Sequence, residues 1–171
     1  MRSCCSNDVD AYGIPEDYWG ELVEEAAREL KEAAKAYPNK EKVLFHLYKA
    51  FEKAGKHITV LIGFYRFYFY QSDLLQSIYW GRLCMEETAK KLRINENWMD
   101  LTEDQIEMLK CADNPLVDLY LRAFHAVAYL LGRAGNKEEA LKMLQLLTKI
   151  DVTSQIGASR LANILKGEDN Q

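Results

Sequence analysis

The sequence predicts an all-α fold, and three observations carry that prediction. Only three Pro and nine Gly interrupt 171 residues, so helix breakers are scarce. Apolar side chains recur at helical spacing, most clearly at Phe124, Val127, Ala128 and Leu131, which i, i+3, i+4 and i+7 place on one helix face. After a turn at Gly135-Asn136 a second stripe follows at Ala140, Leu144 and Leu147. The stretch from Leu121 to Ser154 therefore reads as two short amphipathic helices laid back to back.

From the N-terminus, the segment Tyr18 to Ala36 carries Leu22, Ala26, Leu30 and Ala33 on one stripe, with Glu21, Glu24, Glu25 and Lys31 facing away. It stops at Pro38-Asn39, as an amphipathic helix ended by proline should. Leu44, Leu47 and Phe51 precede Gly55 just as Phe124, Val127 and Leu131 precede Gly135. Residues Ile58 to Tyr70 form the most apolar run. At thirteen residues it is too short for a bilayer, which takes about 20 apolar residues. A strand is conceivable from its β-branched start. The run continues without an evident turn into the helical pattern of Leu75, Ile78, Tyr79 and Leu83, so a central helix buried on most sides is expected. Six aromatics between Phe64 and Tyr70 cannot share one stripe; most should be core, with a surplus left for a ligand pocket or a dimer interface.

Between Arg93 and Asp118 the chain turns acidic, through Glu96, Asp100, Glu103, Asp104, Glu107, Asp113 and Asp118 against Lys110. Thr102 with Gln105 forms a capping box for a helix over Asp104 to Cys111, and Asn114-Pro115 opens the next helix with proline in its first turn. After Ser154, the residues Ala158, Leu161, Ala162 and Leu165 mark a last amphipathic helix with a polar end.

The two stripes of Leu121 to Ser154, their small Ala128 and Ala140, and the length of the unit resemble the tetratricopeptide repeat (TPR). Ala26, Leu30, Ala33 and Pro38 match the second-helix half of the same pattern, and a unit opening at Glu41 keeps its phase, although Tyr48 and Val60 stand where it wants small residues. The resemblance implies antiparallel helical hairpins stacked as a TPR-like superhelix, with an out-of-phase insertion at Arg93 to Asp118 and a C-terminal capping helix. It covers one strong unit, one degenerate unit, one N-terminal half and one cap. The implied domain plan is a flexible tail over residues 1–17 and a single helical domain over residues 18–171.

In such arrays the first helices line a concave face. The resemblance implies that Lys42, Phe45, Lys49 and Lys53 from one unit, and Arg122, His125, Tyr129 and Arg133 from another, point into it. Five of these eight are Lys or Arg in a chain of formal charge -4, a contrast that would attract a protein or acidic peptide partner. The same residues are also what commonly solvates an outer helix face. The carboxylate clamp of some relatives is broken here, since Phe45, Lys49 and Ala126 replace its residues; Arg160 and Asn163 alone look compatible. Two other readings stand beside a protein-binding adaptor: a self-assembling structural subunit whose acidic insertion meets a neighbour's basic face, and a small-ligand domain with an aromatic pocket.

Enzyme chemistry, cofactors and nucleic acid are not expected. The net charge opposes a phosphate footprint, and no G-x-S-x-G, P-loop or G-x-G-x-x-G occurs. His46, His57 and His125 lie in separate contexts with no metal spacing. The pairs Glu24-Glu25, Glu86-Glu87 and Glu138-Glu139 read as solvated faces, because adjacent residues project about 100° apart on a helix. Arg122 and Arg133 would lower the His125 pKa if close. Cys4, Cys5, Cys84 and Cys111 lack C-x-x-C spacing, and with no apolar leader at the N-terminus the expected setting is reducing and cytoplasmic.

Overall fold

In the computed structural model residues 19–167 are described; the expected tail, with Cys4 and Cys5, lies outside them. Among the described residues there are eight α-helices and no strand. None of these helices is long and apolar enough to cross a membrane. The chain groups into two compact units divided between Val60 and Leu61.

The first unit holds α1 (Glu24–Ala36) and α2 (Lys40–Ala54), packed against each other. Tyr18, where the sequence stripe begins, lies outside the described residues. Gly20 takes φ +105° and Val23 is extended, so among the described residues α1 begins at Glu24. Asn39 then caps α2, its side chain accepting from the Lys42 N–H at 3.1 Å, a contact that satisfies one of the orphan donors of the first turn. Ala26 and Ala33 on α1 and Val43, Leu47 and Ala50 on α2 are buried. Small α1 residues let the two backbones approach closely. Tyr48, which stands where the repeat pattern wants a small residue, is 52% exposed. His57 caps the following helix, α3 (Ile58–Tyr70): its Nδ1 accepts from the Thr59 N–H at 3.3 Å and its Nε2 donates to the Gly20 carbonyl at 3.0 Å.

The expected continuous central helix is two helices, α3 and α4 (Leu74–Leu92). Ser72 adopts φ +58°, the Ser72 N–H reaches the Phe69 carbonyl, and the Asp73 N–H reaches the Tyr68 carbonyl. This is a Schellman ending built without glycine. Asp73 at once starts α4 by accepting from the Gln76 N–H at 3.1 Å. Arg93, at φ +58°, ends α4 in the same manner, with Ile94 bonded to Ala89.

The second unit is organised around α6 (Pro115–Arg133), which packs against both α4 and α7 (Lys137–Ile150). The short α5 (Glu103–Cys111) touches α7, and α8 (Ala158–Lys166) packs on α7 and reaches α6. The expected capping box of α5 is present in both directions, and Asn114 caps α6 ahead of Pro115. Phe124, Val127, Ala128 and Leu131 are buried with Ala140, Leu144 and Leu147, as the two stripes require.

Two close approaches explain glycines that carry no motif. A Cβ on Gly81 would lie 2.9 Å from Val127 Cγ2, and one on Gly132 would lie 2.8 Å from the Leu165 side chain. Of the six aromatics expected mostly in the core, only Phe64 and Phe67 are buried; Tyr65, Tyr68 and Phe69 are half-buried and Tyr70 is exposed, because a helix run of aromatics cannot turn all of them to one face. Phe64 stacks on Trp80 with centroids 4.0 Å apart.

Candidate functional site

The positions implied on α2 form one exposed strip. Lys42, Phe45, Lys49 and Lys53 are separated by three or four residues and all are exposed. Phe45 is 55% exposed, and the Lys49 ammonium lies 4.6 Å from its ring centroid, within the range of a cation–π contact. No ion pair engages Lys42, Lys49 or Lys53 among the described residues. Three cations are thus left to a high-dielectric surface. Beneath them, His46 Nδ1 lies 2.7 Å from Glu29 Oε2, which supplies an acidic partner from another helix that sequence spacing could not reveal. That hydrogen bond, helped by the nearby Lys49 and Arg28 charges, holds the Glu29 carboxyl below its ordinary pKa.

The equivalent positions on α6 are used differently. Arg122 Nε donates to Asp118 Oδ2 at 2.7 Å, one helical turn back. The Arg133 guanidinium sits 5.8 Å from the Tyr129 ring centroid. His125 and Tyr129 are half-buried. The His125 pKa is lowered, as expected, but by loss of hydration on burial, while the Asp151 carboxylate pushes it up; the two arginines are not its causes. Arg160 and Asn163 are exposed on α8.

Asp151 escaped the sequence reading. It is buried at the end of α7, where Oδ1 accepts from the Gln155 N–H at 3.0 Å and Oδ2 from the Ile156 and Gly157 N–H groups at 3.0 and 3.2 Å. One carboxylate therefore ties the α7–α8 turn. A lone Asp after a helix gives no sequence signal for such a role.

The second unit also contains a cleft of about 370 Å³. It lies between α4, which contributes Arg82, Met85 and Glu86, the stretch Glu96 to Met99, and α7, which contributes Glu139 and Met143. The near-fully buried Met85 and Met143 are apolar walls, Trp98 is half-buried and Met99 is exposed. Glu139 is not the solvated residue expected from its Glu-Glu pair. Its Oε1 accepts from Arg82 at 2.6 Å and its Oε2 from the Asn136 amide at 2.9 Å. Glu86, likewise expected on a solvated face, is half-buried and has no hydrogen-bond or ion-pair partner among the described residues. These groups come from positions up to 61 residues apart (82 to 143), beyond any spacing rule. Among the described residues no three His, Cys, Asp or Glu side chains are grouped to hold a metal ion.

No family model matches the chain, and no solved structure matches it. Over 112 residues the chain is 29% identical to an uncharacterized 19.8 kDa protein in the nifW 5′ region of Azotobacter chroococcum mcd 1. The match takes in 66% of this chain and spans 63% of that relative's length.

Proposed function

We propose that the chain is a non-enzymatic, TPR-like adaptor that binds an acidic segment of a partner protein on the α2 strip. The observation that carries this reading is the exposure of Lys42, Lys49 and Lys53 beside the exposed ring of Phe45, with no acidic side chain ion-paired to the three lysines among the described residues. An aspartate- or glutamate-rich segment would supply the missing anions, and Phe45 with Tyr48 would supply apolar contact area.

The helical-repeat part of the reading is supported by contacts between alternate helices in the second unit. α4 packs on α6, α6 reaches α8, and α5 touches α7, as successive stacked hairpins do. On that reading α6 and α7 form the clear hairpin, α4 is the first helix of the unit before it, α5 belongs to the acidic insertion, and α8 is the cap. The α6 positions are left out of the proposed site, because Arg122 already has Asp118.

The test is fluorescence anisotropy of a labelled Asp/Glu-rich peptide titrated with wild type and with the Lys42→Glu, Lys49→Glu, Lys53→Glu triple variant. Wild-type binding should weaken as salt rises from the low-salt regime, where the Debye length is about 30 Å, to 1 M, where it is about 3 Å. The triple variant should lose binding while keeping its helical circular dichroism. Equal binding by both proteins would place the site elsewhere.

A further inference from the structure

The α4–α7 cleft has a chemistry opposite to that of the α2 strip. Its lining carries three carboxylates, Glu86, Glu96 and Glu139, against the single guanidinium of Arg82. Two of the three carboxylates retain capacity for a ligand. Glu139 has both oxygens engaged, whereas Glu86 has no partner among the described residues and Glu96 has only a 3.6 Å contact to Lys90.

The remaining walls are Met85, Met143, Met99, Trp98 and the neutral Asn97. Thioether side chains are polarizable and unbranched, so they adapt to the shape of an alkyl chain. An indole is the strongest aromatic partner for a cation, and a planar guanidinium can stack on it while forking to a carboxylate. The cleft volume of about 370 Å³ falls in the range of small-ligand sites. Among the residues of the cleft itself, Arg82 already shows the chemistry, donating to Glu139 at 2.6 Å.

We propose that this cleft binds a guanidinium group carried on an alkyl stem, with Glu86 and Glu96 pairing with the charge, Trp98 stacking on its plane, and Met85 and Met143 holding the stem. The group comes either from a free alkylguanidine or from an arginine side chain of a partner. This site is independent of the α2 reading, since it shares no residue with that strip.

Isothermal titration of the full chain with n-butylguanidinium, and separately with acetyl-arginine methylamide, tests it. Single-site saturation by butylguanidinium is expected. Glu86→Gln should weaken it by about tenfold, the effect of removing one charge-assisted hydrogen bond, and Trp98→Leu by several-fold. Arg82→Met should strengthen it, because the Glu139 carboxylate is released from its internal guanidinium; a merely structural cleft would show no such gain. Glu107→Gln on α5, away from the cleft lining, is the control and should leave binding unchanged. Saturation by the blocked arginine as well identifies a partner's side chain as the source, and saturation by butylguanidinium alone identifies a free small molecule. The absence of saturation at millimolar butylguanidinium, or equal binding of the neutral isostere n-butylurea, overturns the proposal. Folding of each variant is read from its melting temperature, so lost binding in a folded Glu86→Gln protein is interpretable.

Discussion

Helices α2 and α6 carry basic and aromatic residues at the same relative positions, yet the molecule treats the two sets differently. On α2, Lys42, Lys49 and Lys53 are exposed with no ion-pair partner among the described residues, Lys49 lying over the Phe45 ring. On α6, Arg122 is tied to Asp118, Arg133 lies over Tyr129, and His125 is half-buried. The difference comes from what surrounds each helix. α6 is packed by both α4 and α7, which leaves His125 half-buried, while Arg122 is satisfied along its own helix by Asp118 one turn back. A residue pattern thus marks a face of a helix, while the neighbours decide whether that face is free.

The sharpest way to break this comparison is charge reversal on both helices. The Lys42→Glu, Lys49→Glu, Lys53→Glu variant should lose about 10- to 100-fold in affinity for an acidic peptide at low salt, from several exposed charge contacts of modest individual strength. Arg122→Glu with Arg133→Glu should change that affinity less than threefold. Anisotropy titrations read both, and a larger effect from the α6 pair would reverse the assignment.

On stability the order should invert, with the second unit the more sensitive. Asp151→Ala removes the acceptor of three backbone N–H groups and should cost about 2 to 3 kcal/mol in urea denaturation, whereas the α2 lysine reversals should barely shift the midpoint. Gly81→Ala drives a Cβ to 2.9 Å from the stiff, buried Val127. It should cost about 1 to 2 kcal/mol by overpacking, despite the better helix propensity of Ala.

The smallest effect expected is a pH dependence centred on His125. Its folded pKa lies below the ordinary 6.5 because burial disfavours the imidazolium. The unfolded chain therefore binds the proton first, and stability falls as pH drops below about 6.5, continuing until the folded pKa is passed. His125→Gln should flatten the stability profile in that window, as followed by denaturation midpoints. An unchanged profile would show that the ring is hydrated.

Several elements were legible because local chemistry encodes them. The Thr102–Gln105 capping box, Asn114-Pro115, and the stripes of α6 and α7 all act within one or two helical turns, where sequence spacing is spatial spacing. The break between α3 and α4 was not legible. Ser72 and Arg93 occupy the left-handed region, which side chains rarely adopt and which no residue pattern announces, whereas Gly135 ended α6 in plain view. The start of α1 at Glu24 was not legible either, with Gly20 at φ +105° and Val23 extended ahead of it.

By itself the sequence determined the all-helical character, the buried stripes, and the residues that share the α2 face, because these follow from periodicity along a single helix. The tertiary structure decided that Glu29 meets His46, that His125 is half-buried, and that Glu86, Trp98 and Met143 share a cleft. Each of those depends on which helices pack together. Side chains on different elements meet only when long-range packing brings the elements together, and the spacing within one helix carries no record of its neighbours.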